Sequence, residues 1–248
     1  MSVSILRIIQ IYFIFGSVCI LFLFFGIKIL KRNPKDRLNQ VASSYFITIS
    51  ISAIVNFIYA SFSDPIFQPL VNFLYKITIY LLCYATGLLL LIIILLNKPM
   101  MIYTTKFQIK FLLIYGGILS GIFLIPNGVS VRIQSDGTQL FPVWSFPFFL
   151  YIIIILLTTM IYSFYLCIKI YKKFKSKILV KRIKLLICGI ICYFYIIILL
   201  CFTHYLNIIL LRQISAISGA LVVFGGFFFY YSIGTSLKQP FNNLFSQD

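Results

Sequence analysis

Long apolar runs, separated by short polar segments, repeat along the whole chain. Runs such as Leu88–Leu96 and Ile152–Leu157 contain no polar residue. They are continuous rather than alternating, which favours helices over the strands of a membrane β-barrel. A helix needs about 20 such residues to cross the hydrocarbon core of a bilayer. The polar interruptions therefore predict seven spans, near residues 5–29, 41–62, 71–96, 110–126, 146–169, 184–205 and 212–234.

Two connections depart from this simple pattern. The segment VRIQSDGTQLFPVW, residues 131–144, alternates apolar and polar residues around a Ser-Asp-Gly-Thr sequence. This pattern predicts a short β-hairpin between spans four and five. Span four itself is short, carries Gly116, Gly117 and Gly121, and ends at Pro126. We expect it to be buried inside the bundle, because burial would accommodate both its length and its glycines.

Composition supports a membrane protein. The chain is 62% hydrophobic and only 10% charged, whereas soluble domains are about half apolar and about one quarter charged. Too few polar groups are present to cover a soluble surface, so lipid must be the outer solvent. We predict an all-α membrane protein: a seven-transmembrane helix bundle over residues 1–236, with a short tail over 237–248.

The distribution of charge predicts how the bundle is oriented. Of the 21 Lys and Arg residues, all but Arg7, Lys76, Arg132 and Arg212 fall on one side of the predicted spans. The positive-inside rule then places the N-terminus outside the cell membrane and the C-terminus in the cytoplasm. The hairpin lies outside. The net charge of +17 would suggest nucleic acid for a soluble protein, but here it marks topology and no nucleic-acid partner is expected.

Few side chains in the spans are suited to catalysis. No Asp or Glu lies within a predicted span, and the one histidine, His204, lies at the external end of span six. The six cysteines lie in or at the end of apolar runs without a His or acidic partner. General acid–base catalysis and metal binding both need such groups. We therefore expect neither an enzyme nor a metal or other cofactor.

Span two carries the best polar constellation. Ser44, Thr48, Ser52 and Asn56 are spaced by four and would form one stripe on a helix. Such groups usually hydrogen-bond to neighbouring helices. Alternatively, the stripe lines a ligand cavity, with Asn56 and Tyr59 near its external end.

The hairpin has two interpretations as well. It either caps the bundle or helps to form a ligand pocket, and Trp144, the only tryptophan, sits where an interfacial belt residue would. Together with span two and His204, this gives a candidate ligand-binding set: Ser52, Asn56, Tyr59, Arg132, Asp136, Trp144 and His204.

The connection between spans five and six is strongly basic. Residues 169–184 mix cationic and apolar side chains at helical spacing, which extends both helices. Besides the bilayer itself, the expected partners of this segment are anionic lipid headgroups or a cytoplasmic protein. The positive-inside effect alone is a third explanation of these charges.

The order of motifs in the second half resembles a known family. The hairpin with its Asp136-Gly137 leads into FPVWSFPFFLY, a basic cluster precedes RIKLLICGIICYF with Gly189, and span seven closes with YYSIG. In this order the chain is similar to the seven-transmembrane sensor region at the N-terminus of membrane histidine kinases. It lacks the intramembrane lysine of retinal proteins and the motifs of G-protein-coupled receptors. The resemblance implies a sensor and transfers no catalytic residue. Because no output domain follows TSLKQPFNNLFSQD, signalling would pass through a separate partner or a second copy of the chain.

Three function classes remain open at this point. The first is a sensor or receptor-like bundle that binds a small or lipophilic ligand. The second is a transporter or channel for a neutral or apolar substrate, which broken helices or inverted repeats would favour. The third is a structural subunit of a membrane complex.

The orientation can be tested with tags at the two termini. We expect an epitope before Met1 to be accessible in intact cells, and one after Asp248 only after the membrane is permeabilised. The physical reason is the one-sided distribution of Lys and Arg. Accessibility of both tags from the same compartment would contradict the seven-span arrangement.

Overall fold

The computed structural model describes residues 13–62, 65–97, 104–133, 140–173 and 176–234. These residues form a helical bundle with one small antiparallel sheet. The helices are α1 (Gly16–Arg32), α2 (Arg37–Ala60), α3 (Gln68–Asn97), α4 (Thr105–Leu124), α5 (Phe146–Lys173), α6 (Lys177–Leu206), α7 (Ile209–Ser218) and α8 (Ala220–Phe229). The strands are β1 (Val129–Ile133) and β2 (Leu140–Trp144). A π-helical turn, Tyr230–Gly234, continues α8.

Within the described part of the chain, seven helices are long and apolar enough to cross a bilayer. Helices α1 to α6 each provide one span, and α7, α8 and the first residues of the π turn together form the seventh over Ile209–Ile233. The expected number of spans is therefore confirmed, and the chain is a multi-pass membrane protein. Helices α5 and α6 continue through most of the basic 169–184 segment.

Polar residues determine where several helices begin and end. The Asp36 carboxylate accepts a hydrogen bond from the Leu38 amide at 3.1 Å and caps α2. Thr104 caps α4 through the Phe107 amide at 3.3 Å. Asn207 ends α6 in the left-handed conformation, with φ at 55°, which Asn tolerates better than most residues.

Helix α3 lies at the centre of the bundle. It packs against α2, α4 and α5 and also contacts both strands. Every residue from Ala85 to Leu95 is buried, so this part of α3 faces protein in all directions. The continuous Leu and Ile run therefore reflects central burial rather than contact with lipid.

An aromatic core joins the first and last helices. Phe25 stacks on Tyr230 with ring centroids 4.5 Å apart, and Tyr45 lies 4.8 Å from Phe229 and 5.6 Å from Tyr193. These contacts connect α1, α2 and α6 to the seventh span. Such pairs contribute about 0.5–1.5 kcal/mol each beyond the area they bury.

The outward surface is apolar, as lipid contact requires. Leu124 is 84% exposed, Ile209 71% and Leu113 70%. Leaving such a side chain in water loses about 1.5–3 kcal/mol of the free energy that its burial would provide. Their number on the outer faces is compatible only with a hydrocarbon surround.

The expectation that span four is buried was wrong. Only Gln108, Gly116, Leu119 and Ile122 of α4 are buried, and the helix lies at the periphery against α3. Its glycines do not break it. Gly116 and Gly121 each receive a tyrosine side chain, whereas a Cβ on Gly117 would meet no atom within 4 Å.

Most basic residues of the described segments lie at one end of the bundle, which we call the basic end. Consecutive helices pack together in opposite directions, so this end combines the C-terminal ends of α1 and α5 with the N-terminal ends of α2, α4 and α6. Its residues include Lys31, Arg32, Arg37, Lys106, Lys110, Lys172, Lys173, Lys177, Lys181 and Arg182. The end that carries β1 and β2 is called the hairpin end.

Helices α6 and α8 approach each other at two glycines. A Cβ on Gly189 would lie 3.0 Å from the Gly225 carbonyl oxygen and 3.3 Å from the Phe229 nitrogen, while a Cβ on Gly225 would lie 3.1 Å from the Cys192 Cβ. Backbone atoms cannot move aside as a flexible side chain can. The absence of side chains at both positions is therefore what allows this contact.

This contact predicts opposite effects for two Gly→Ala substitutions. Gly189→Ala should lower the free energy of unfolding by about 1–3 kcal/mol, because the new methyl group meets the α8 backbone. The matched control, Gly117→Ala, should be neutral or stabilising by up to about 1 kcal/mol, because the position is open and Ala favours helix. Thermal or denaturant unfolding in detergent measures both. Equal effects of the two substitutions would contradict the close contact.

Candidate ligand-binding site beneath the hairpin

The hairpin is anchored to the bundle by its two strands. They pair antiparallel from Val129 opposite Trp144 to Ile133 opposite Leu140. Strand β1 contacts α3, and β2 contacts both α3 and α6. The Gln68 side-chain amide at the start of α3 donates to the Val131 carbonyl at 3.1 Å. The turn residues, among them Asp136, lie outside the described residues.

Trp144 is buried beneath the sheet. It is only 3% exposed, its indole Nε1 donates to the Tyr75 hydroxyl at 2.9 Å, and its ring meets Phe148 edge-on at 5.0 Å. The expectation of an interfacial belt residue was therefore wrong. A belt residue keeps its N–H toward water or headgroups, whereas this N–H is used inside the protein.

His204 links the hairpin to α6. Its Nδ1 lies 3.0 Å from the Pro142 carbonyl oxygen of β2. A carbonyl oxygen only accepts, so Nδ1 carries the hydrogen and donates it. The imidazole also stacks on the Trp144 ring at 5.8 Å and meets the Tyr75 ring edge-on at 5.4 Å.

Two residues of α2 complete the group. The Tyr59 ring packs edge-on against Tyr75 at 5.7 Å, and the Asn56 Nδ2 donates to the Tyr59 hydroxyl at 2.9 Å. Both Asn56 and Tyr59 are half-buried. Asn56, Tyr59, Tyr75, Trp144 and His204 therefore form one continuous set of contacts, which we call the hairpin cluster.

The structure brings four of the seven candidate residues together in this cluster. Tyr75 was missed, because nothing in the sequence separates it from the other tyrosines of the chain except its place near the external end of span three. Only the backbone of Arg132 is described, in β1 opposite Phe141.

Ser52 has a different role from Asn56. It is 1% exposed, and its hydroxyl donates to the Thr78 carbonyl of α3 at 3.1 Å. This is the hydrogen bond between helices that was one of the two interpretations of the stripe. Ser44 at the other end of the stripe is exposed and bonds within α2 to the Gln40 carbonyl at 2.9 Å.

The chemistry of the hairpin cluster suits binding. It combines three aromatic rings and an imidazole with hydroxyl and amide groups, and it contains no carboxylate. Among the described residues, no three His, Cys, Asp or Glu side chains come together as metal ligands. Aromatic faces and neutral hydrogen-bonding groups are typical of sites for small, largely apolar molecules.

The cluster predicts a specific effect of Tyr75→Phe. The substitution removes the acceptor of the Trp144 N–H but keeps the ring, so we expect a loss of about 1–2 kcal/mol in unfolding free energy. Because Trp144 is the only tryptophan, its fluorescence should also change. Tyr195→Phe, at a side chain 47% exposed on the outer face of α6, serves as the control and should leave the spectrum unchanged. An unaltered spectrum for Tyr75→Phe would contradict the bond.

No protein-family model matches the chain, and no curated protein matches its sequence. These comparisons therefore place the chain in no family. The geometry of the hairpin cluster carries the functional argument.

Proposed function

We propose that this membrane protein is a sensor. It binds a small or lipophilic ligand at the hairpin cluster and signals through a separate partner protein. The observation that carries the proposal is the position of Trp144, which bonds to Tyr75 on α3 and stacks on His204 of α6. One side chain of the hairpin thus contacts two helices of the bundle.

The ligand would act by changing these shared contacts. A molecule that enters between the hairpin and α2 would meet Asn56 and Tyr59, and it would compete for the ring faces of Tyr75 and Trp144. A ligand shifts an equilibrium only if it prefers one of the two packings. Here the two packings differ in whether Trp144 is seated on Tyr75 and His204.

Helix α6 provides a route from the hairpin cluster to the seventh span. His204 lies in its last turn, and Gly189, four turns earlier, touches the α8 backbone. A shift or rotation of α6 cannot occur at this contact without moving α8, because backbone meets backbone. The π turn at Tyr230–Gly234 would then transmit the change toward the C-terminal segment.

The orientation predicted from the basic residues fits this proposal. Under the positive-inside rule the hairpin end faces outward, so a ligand would arrive from outside. Arg132, whose backbone lies in β1, and Asp136, which lies outside the described residues, are further candidate contacts for this ligand. The signalling partner would act at the cytoplasmic side, and the resemblance to histidine kinase sensor regions supports the same division.

Ligand screening tests the proposal directly. We expect at least one small aromatic or lipophilic compound to raise the melting temperature of the purified protein and to change Trp144 fluorescence. Tyr59→Ala should weaken its binding by about tenfold or more, since it removes an aromatic ring that the ligand would contact. Tyr80→Phe, which removes a hydroxyl bonded to the Gly116 carbonyl away from the cluster, is the control and should bind normally.

Other outcomes would favour the remaining function classes. Stabilisation by a co-purifying membrane protein, with no response to any compound, would contradict the sensor proposal and favour a structural subunit. Passage of a solute into proteoliposomes that contain the pure protein would favour a transporter.

A further inference from the structure

The inward face of α4 is fixed by one tyrosine. The Tyr115 hydroxyl lies 2.6 Å from the Thr86 Oγ1 of α3 and 3.3 Å from the Thr159 Oγ1 of α5, and it donates to the Cys83 carbonyl at 3.2 Å. Its ring occupies the space that a Cβ on Gly87 would need. Tyr115 thus marks one level along the bundle axis at which α3, α4 and α5 face one another.

From this level, two other buried polar side chains lie toward the basic end. Gln108 is seven residues before Tyr115 on α4, about 10.5 Å along the axis, and Ser163 is four residues after Thr159 on α5, about 6 Å along the axis. The two side chains are therefore about 4.5 Å apart in level. Gln108 is 6% exposed and Ser163 is fully buried.

Neither side chain has all its polar atoms bonded. The Gln108 Nε2 and the Ser163 Oγ have no hydrogen-bond partner among the described residues. Buried polar groups are nearly always hydrogen-bonded, and each exception calls for an explanation. Two exceptions on neighbouring helices, with an axial offset of only about 4.5 Å, point to a ligand that accepts hydrogen bonds.

The surroundings at this level are cationic. The Lys173 Nζ of α5 donates to the Asn97 Oδ1 at the end of α3 at 3.5 Å, and Asn97 is only 7% exposed. Counted from Gly87 opposite Tyr115, Asn97 lies about 15 Å along α3, which is about 4.5 Å further toward the basic end than Gln108. Lys106 and Lys110 flank Gln108 on α4. Asp36, the only acidic residue in the described segments, caps α2.

We propose that α3, α4 and α5 form a binding site for an anionic phospholipid at the basic end. The Gln108 amide would donate to a headgroup phosphate oxygen, and Lys173 would supply the positive charge beside it. The Ser163 hydroxyl would bond to a polar group of the glycerol region. The acyl chains would lie on the outer side of α4, where Leu113, Ile114 and Ile118 are exposed.

This arrangement favours a lipid over a soluble anion. Helix α4 is peripheral, and the apolar side chains on its outer face are exposed to the bilayer. The polar atoms lie at the charged end of the bundle, and the exposed side chains of Leu113, Ile114 and Ile118 lie along the middle of α4, which is the order found in a phospholipid. The site is at the opposite end from the hairpin cluster and does not depend on the proposed sensor function.

Lipid exchange tests the proposal. The full chain is compared in nanodiscs of phosphatidylcholine alone and of phosphatidylcholine with phosphatidylglycerol, and retained lipid is identified by native mass spectrometry. We expect the anionic lipid to raise the melting temperature by about 3 °C or more. Gln108→Leu should retain phosphatidylglycerol about tenfold more weakly. In phosphatidylcholine alone, it should melt at or above the wild-type temperature, because an unpartnered buried amide has been removed.

Further variants distinguish this site from general surface charge. Lys173→Gln should also weaken retention, and it keeps the test valid if Gln108→Leu does not fold. Lys181→Gln, at an exposed position of the same end on α6, should retain lipid normally. Equal losses for Lys181→Gln and Gln108→Leu would overturn the proposal, as would an equal response to inorganic phosphate or the lack of any preference for phosphatidylglycerol.

Discussion

A hydrogen bond from a side chain to the main-chain carbonyl of a neighbouring helix recurs throughout this bundle. Ser43 donates to Gly26, Ser50 to Cys19, Ser52 to Thr78 and Tyr193 to Leu82, at 2.8–3.1 Å. The hydrocarbon core of the bilayer offers no partner for such groups, so groups at that depth pair inside the protein. The individual gain is modest, about 0.6 kcal/mol. Together these bonds fix the register in which the apolar faces meet, and both candidate sites depend on that register.

The two ends of the bundle show how this rule operates in different ways. At the hairpin end, Trp144 is paired with Tyr75 and His204 with the Pro142 carbonyl, so a ligand must compete with existing bonds, although the Asn72 Oδ1 and Ser145 Oγ of this end have no partner among the described residues. Toward the basic end, Gln108 and Ser163 have polar atoms without a partner among the described residues. The first arrangement suits a switch between two packings, and the second suits a molecule that is held continuously.

The sequence predicted the spans because apolar length is a strong, local signal. It drew attention to Trp144 and His204 as candidate residues because each is the only residue of its type. It did not predict Tyr75, whose role depends on which helix faces β2. The burial of α4 was also misjudged, since glycines and a following proline are equally compatible with a peripheral helix that receives tyrosine rings. Which helices neighbour each other is set by packing over the whole bundle, and periodicity within one span does not contain that information.

The attachment of α4 has a consequence for how the protein is made. Three tyrosine hydroxyls bond this helix to its neighbours. Tyr115 of α4 bonds to Thr86 of α3, while Tyr80 of α3 and Tyr151 of α5 donate to the Gly116 and Ile118 carbonyls of α4. The other six spans contact one another in a closed ring. Helix α3 packs against α5, which the ribosome delivers after α4. During synthesis α4 can therefore bond to α3 through Tyr80 and Thr86 at once, whereas its bonds to Tyr151 and Thr159 form only after α5 has been delivered.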